Sequence, residues 1–244
     1  MELQLTSKKG KIESFPLKNT AICGISGSGK TVIIRNMLAN IIEQGMTEDF
    51  DFMIITPVQD EWSPIFEKHI FRVEHNQDTL DALYAYRQLL KDRNELSKPL
   101  FIFVDRIELL CDVNHLSEKF MAIRDLFEVS EKGNMYFIIT SQSYANEHLR
   151  SLGIDKIENR IGTTCFERSW PGSSFVAQQS TYAKKDYEGV SKFSIYVSTV
   201  KSKSTNLDTG KTEEQRTCTR FVPYMYSTEN LQHQFADWLD REIL

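Results

Sequence analysis

Along the chain, short and nearly continuous apolar runs alternate with longer stretches whose apolar residues return every three or four positions. Continuous runs suit strands buried on both faces, and the longer period suits helices packed on them. NTAICG (19–24) reads as one such strand. TVIIRNMLANIIEQG follows as a helix, with Val32, Ile33, Ile34, Met37, Leu38, Ile41 and Ile42 forming a wide stripe and Gly45 as its stop. DFMIIT (51–56) is a second strand, closed by Pro57. QDTLDALYAYRQLLKDRNEL (77–96) places Leu80, Leu83, Tyr86 and Leu90 at helical spacing. LFIFVD (100–105), LSEKFMAIRDLFEVSEKG (116–133) and MYFIIT (135–140) read as strand, helix and strand, and IGTTCFE (161–167) as a fifth strand. The alternation predicts an α/β fold, a mainly parallel sheet with crossover helices on both faces.

The later sequence changes character. FSIYVST (193–199) and RTCTRFVPY (216–224) read as strands around KSKSTNLDTGKTEEQ. That interval has no apolar face, so residues 199–216 are expected as an exposed hairpin or mobile loop. TENLQHQFADWLDREIL (228–244) closes the chain as an amphipathic helix through Leu231, Phe235, Trp238 and Leu239, its apolar side docked on the same domain. No repeat or low-complexity tract divides the chain, so residues 1–244 are expected to form a single domain.

Composition narrows the class without naming a function. A chain with 41% hydrophobic and 26% charged residues is ordinary for a soluble globular protein. No apolar run approaches the ~20 residues that span a bilayer, and MELQLTSKKGK is not a signal peptide. A cytosolic location is expected, with any membrane anchor in segments outside this chain. Cys23, Cys111, Cys165 and Cys218 are far apart and form no CxxC pair, so neither zinc binding nor reactive thiols are expected. The net charge of −5 counts against nucleic acid on a broad basic face, and nucleic acid is not the expected partner.

The chemistry enters at GISGSGKT (24–31), which fits G-x-x-x-x-G-K-[ST] between a predicted strand and a predicted helix. Gly24, Gly27 and Gly29 let the backbone curl so that its N–H groups face a phosphate, and the helix N-terminus adds partial positive charge. The nucleotide-binding set is Gly24, Ile25, Ser26, Gly27, Ser28, Gly29, Lys30, Thr31 and Val32. Lys30 would reach the β- and γ-phosphates of ATP, and Thr31 would ligate Mg²⁺. Asp105, ending a buried strand, is the second metal-site residue, although an aspartate there can also cap a helix. DFMIIT lies between the phosphate-loop strand and the Asp105 strand, the order of RecA-like P-loop folds. In that branch a polar residue at the end of the next strand senses the γ-phosphate. FIITSQS offers Thr140 and Gln142 as catalytic candidates, though polar strand ends are common in any fold.

Together GISGSGKT, LFIFVDRIELL, KGNMYFIITSQS and a segment ending in ENRIG resemble, in order and spacing, the ring-forming FtsK/HerA-type ATPases. Within that group the chain looks most like the terminal ATPase domain of type VII secretion coupling proteins of the EssC/EccC kind. The resemblance covers about residues 12–200 and implies a RecA-like P-loop NTPase with an extra β-hairpin. It implies secreted protein substrates and neighbouring ATPase domains as partners, in the cytosolic part of a membrane-anchored secretion ATPase. It further implies that Thr140 and Gln142 lie near the γ-phosphate. A neighbouring subunit's arginine would complete the site, and Arg124, Arg160 and Arg168 are the candidates in this chain. The terminal position points to a substrate-contacting surface among the late strands and 199–216. Deleting that interval without loss of substrate binding would remove the support for this placement.

One departure bears on activity. Members that hydrolyse well carry glutamate directly after the strand-end aspartate, and this chain has Arg106. Glu108 matches a later acid of the family, but at three positions past Asp105 it is expected to miss the attacking water. Losing a general base costs roughly a hundred- to ten-thousandfold in rate. The expectation is therefore Mg-ATP binding with weak hydrolysis. A DNA-translocating ATPase of conjugation or packaging is one alternative, and a non-hydrolysing nucleotide-dependent binding module is another.

Overall fold

The computed structural model describes residues 2–7, 9–24, 29–45, 50–56, 70–72, 76–93, 95–110, 118–142, 157–163, 195–206, 210, 212–221 and 223–224. An N-terminal pair, β1 (Leu3–Thr6) and β2 (Ile12–Phe15), is antiparallel and forms its own small sheet. The main sheet contains β3 (Thr20–Cys23), β4 (Asp51–Thr56), β5 (Ile70–Arg72), β6 (Leu100–Val104), β7 (Met135–Ser141) and β8 (Asn159–Thr163), all parallel. An antiparallel hairpin, β9 (Ile195–Thr205) and β10 (Thr212–Phe221), extends one edge, giving the order β10-β9-β8-β3-β7-β6-β4-β5.

Each central strand feeds both cores, which is why its sequence is apolar throughout. Phe52 and Ile54 of β4 join the cluster under α1 (Lys30–Gly45), together with Leu3, Leu5 and Phe15 of the small sheet. Met53 and Ile55 of the same strand join the opposite cluster, built with α2 (Asn76–Arg93) and α3 (Glu118–Val129). Helices therefore cover both faces, and the chain has the α/β arrangement expected from its sequence.

Several boundaries differ from the expectation. Along the chain β4 falls between β3 and β6, but in the sheet the strand inserted between them is β7. The helix expected over 116–133 ends at Val129 and passes through a 3-10 turn, Glu131–Gly133. There Asn134 takes a left-handed conformation (φ 59°), and Gly133 lies against Leu90 of α2. Of the two forms expected for 199–216, the structure has the hairpin: β9 and β10 run through most of the interval, with a bulge at Gln215/Arg216. Its missing apolar face reflects exposure rather than lack of structure: 201–206 are all exposed, and a ladder open to water on both sides needs no apolar side. The predicted helix 228–244, residues 164–167 of the fifth predicted strand, Cys111, Cys165 and Arg168 lie outside the described residues.

The small sheet is fastened to α1 by side-chain amides. Asn36 Oδ1 accepts from Thr6 N (2.8 Å), and its Nδ2 donates to Thr6 O (2.7 Å) and Tyr224 O (2.9 Å). Asn40 Oδ1 accepts from the Thr6 hydroxyl at 2.8 Å. Asn36 is fully buried, so truncating it leaves several main-chain groups without partners. Asn36→Ala is expected to cost about 2–4 kcal/mol in urea unfolding and to expose the Thr6 amide to hydrogen exchange. An unchanged midpoint would mean that the network contributes nothing.

Candidate nucleotide site

The parallel strands end together, and their C-terminal ends carry the predicted site residues. Register explains the meeting of Asp105 and Thr140. Val104 pairs with Ile139, so the next residue on each strand stands level, and the Thr140 hydroxyl donates to Asp105 Oδ1 at 2.7 Å. The same hydroxyl accepts from the Arg106 amide at 2.7 Å. Both side chains are buried, Asp105 at 1% exposure and Thr140 at 0%.

On the other side of β7 stands β3, with Cys23 opposite Ser141. Gly24 leaves this strand with its amide donating to Ser141 O (3.1 Å). Gly29 has φ +91°, a left-handed conformation that disfavours any residue with a Cβ. Helix α1 begins at once: Lys30 is its first residue, and Ile33 N donates to Gly29 O at 3.1 Å. Ile25, Ser26, Gly27 and Ser28 lie outside the described residues. Thr31 and Val32 occupy the first turn of α1 and are half-buried.

Lys30 is the chemically unusual group. Its ammonium donates to Gly24 O at 2.7 Å and is only 7% exposed. Burial lowers its pKa, partly opposed by the carboxylates of Glu108 and Asp105, in that order of strength. A desolvated cation at the head of a helix is what a phosphate would relieve.

Gln142 is exposed just past β7, at the same end of the sheet. Arg124 lies 3.8 Å from Asp125 on α3, and Arg160 donates from Nε to Ile157 O at 3.2 Å. Neither is brought to the Lys30–Asp105–Thr140 group by the contacts that the structure shows for it.

Glu108, expected to miss the attacking water, follows a turn in the backbone. Arg106 is left-handed (φ 59°), so the chain leaves the strand direction and enters a 3-10 turn, Ile107–Leu110, that packs on β7. Glu108 is thereby held with both carboxylate oxygens buried and its charge acting on Lys30. No signal in the sequence marks an arginine for positive φ.

The donor set fits magnesium better than a metal caged by protein. Among the described residues no cluster of three or more His, Cys, Asp or Glu is poised to hold a metal. One carboxylate (Asp105) and one hydroxyl (Thr31) suit an ion that keeps its waters and leans on substrate phosphates.

Neither a family model nor a curated protein matches the chain. Solved structures do. The cytoplasmic domain of the Thermomonospora curvata type VII secretion ATPase EccC is 13% identical with TM-score 0.56, over 92% of this chain and 29% of that one. The conjugation coupling protein TcpA of pCW3, in its monomer form with ATPγS, is 14% identical with TM-score 0.60, over 93% and 66% respectively. The genome-packaging NTPase B204 of Sulfolobus turreted icosahedral virus 2, in complex with ATP-gammaS, is 10% identical with TM-score 0.51, over 86% and 99%. The chain thus spans less than two thirds of the EccC and TcpA chains that it matches. At these identities the likeness is one of fold alone.

Thr140→Val removes the hydroxyl that serves Asp105 and Arg106 at nearly constant volume. It should destabilise the protein by about 1–3 kcal/mol in denaturant unfolding. Thr140→Ser should recover most of that loss. Equal stability of the valine and serine variants would mean that the two bonds are not maintained.

Proposed function

We propose that this chain is an FtsK-type ATPase module that binds Mg-ATP, hydrolyses it slowly, and serves a type VII-like secretion coupling protein in recognising or moving protein substrates. The observation that carries the reading is the buried ammonium of Lys30, under the electrostatic influence of the Thr140-braced Asp105 and ending the sequence G-x-x-x-x-G-K-T with Thr31. In this arrangement Lys30 and the first amides of α1 would take the β- and γ-phosphates. Thr31 and Asp105 would hold the magnesium ion, which neutralises charge on the transferring phosphoryl group. Thr140 keeps Asp105 oriented, and Gln142 stands at the edge where a γ-phosphate would end. Two similar structures, TcpA and B204, carry ATP analogues, which supports the nucleotide.

The type VII role rests on the EccC likeness and the motif resemblance. The net charge of −5 weighs against a DNA-pumping role of the TcpA or B204 kind. No helix among the described residues is long and apolar enough to cross a membrane, so any membrane attachment would come from other segments.

Labelled Mg-ATP incubated with the purified chain tests the reading when retained nucleotide and released phosphate are scored together, beside Lys30→Ala. Wild type should retain nucleotide and release phosphate slowly, with no stimulation by duplex DNA, and Lys30→Ala should retain none. Equal retention by both proteins would reject Lys30 as the phosphate anchor. Rapid release that rises with DNA would favour translocation of nucleic acid.

A further inference from the structure

A cavity of about 460 Å³ lies at the end of the main sheet opposite Asp105, where β4 and β6 begin. Its lining includes Asp51 and Leu100, the first residues of those strands, which stand level in the ladder. One wall is α2, whose Ala82, Ala85, Tyr86 and Leu89 recur every three or four residues and so share a face. The alanines are short, and the space they leave is bounded by the apolar side chains of Leu89, Leu96 and Leu100. The helix is attached through another face, where Leu83 and Leu90 are buried and Arg87 pairs with Asp125 of α3 at 2.9 Å. The volume falls within the roughly 300–1,000 Å³ of small-ligand pockets.

Two polar groups of the lining have no partner. Among the described residues neither the Tyr86 hydroxyl nor the Asp51 carboxylate makes a hydrogen bond, although the carboxylate is near enough to act on the phenol. Burial first, and Asp51 second, push the Tyr86 pKa up to about 12, so its hydroxyl keeps its proton and can donate. A hydroxyl in apolar surroundings usually finds a partner, and the cavity is where one can enter. Arg93 and Lys98 also line it, both exposed and in none of the ion pairs among the described residues. With Asp51 they put both signs of charge on the lining. A charged ligand would meet a like charge whichever sign it carried, and a neutral one meets none.

We propose that this cavity binds a small neutral alcohol with an apolar, ring-sized body. The body replaces water against Ala82, Ala85, Leu89, Leu96 and Leu100. Its hydroxyl accepts from Tyr86 and donates to Asp51, using the one hydrogen and the lone pairs that such a group carries. The site is separate from the nucleotide reading, because it lies at the other end of β6 from Asp105 and its test uses no ATP.

The test titrates the whole chain by fluorine NMR with 4-fluorobenzyl alcohol and with 1-ethyl-4-fluorobenzene, in which a methyl group replaces the hydroxyl. Wild type should bind the alcohol saturably, and at least about tenfold more tightly than the hydrocarbon. Tyr86→Phe and Asp51→Ala should each remove most of that preference while leaving the affinity for the hydrocarbon within about twofold. Ala85→Trp, built from an exposed position of α2, should fill the cavity and abolish binding of both probes. Ala82→Phe fills it from a neighbouring position and decides the same point if the tryptophan variant does not fold. Absence of saturable binding by wild type would overturn the proposal. So would unchanged binding in the filled variants, which would place the probes elsewhere. Equal affinity of wild type for the two probes, or a preference that survives both Tyr86→Phe and Asp51→Ala, would overturn it as well, since the hydroxyl would then have no part in recognition.

Discussion

The Thr140 hydroxyl, donating to Asp105 and accepting from the Arg106 amide, is the contact on which the candidate site depends. A hydroxyl has one hydrogen and two lone pairs, so it can hold an acceptor and a donor from successive residues at once. Here it fixes the aspartate carboxylate and the first turn after the strand together. The bond exists because β6 and β7 pair in parallel with Val104 opposite Ile139. Slipping that register by one residue would send Asp105 and Thr140 to opposite faces of the sheet. Strand pairing therefore sets the electrostatics of the site as well as its scaffold.

Around this contact the fold tolerates an unfavourable charge arrangement. The Lys30 ammonium is desolvated at the head of α1, where the helix N-terminus already carries partial positive charge. Asp105 and Glu108 offset part of this, and Arg106 adds to it. A polyphosphate bound as proposed would bring negative charge to the cation and acceptors to the helix amides, so the same groups would then strengthen the fold. By linkage, a ligand that binds only the folded chain adds its binding free energy to stability.

Much of this was legible in the sequence, for physical reasons that can be named. Strands buried on both faces leave unbroken apolar runs, so DFMIIT and LFIFV were readable almost to the residue. GISGSGKT was read as a phosphate loop because close approach of backbone to phosphate demands glycine at fixed spacing; of its glycines, Gly29 has a positive φ. β1 and β2 were missed because four-residue strands of mixed polarity, LQLT and IESF, show too little periodicity. β5 spans only Ile70–Arg72 and gives no period to read. The 3-10 turn that carries Glu108 was not readable, because counting residues beyond a strand assumes that the strand direction continues. A left-handed arginine breaks that assumption without leaving a mark in composition or pattern.

The same α1 helix connects the site to the far side of the molecule. Lys30 begins it, and Asn36 and Asn40, about two and three turns farther on, bind Thr6 and the backbone of Tyr224. A second hydrogen bond runs from Tyr224 N to Thr6 O at 2.7 Å, and Ser7 bridges to Pro223. Partly satisfied buried polar networks cost more than complete ones, so α1, the small sheet and residues 223–224 are held as one unit. Any shift of Lys30 along the helix axis on meeting a phosphate must carry that unit with it or break several buried hydrogen bonds. The second course is the more expensive, because each orphaned amide or carbonyl loses both its protein partner and access to water. The small sheet and residues 223–224 are therefore mechanically tied to Lys30 through α1.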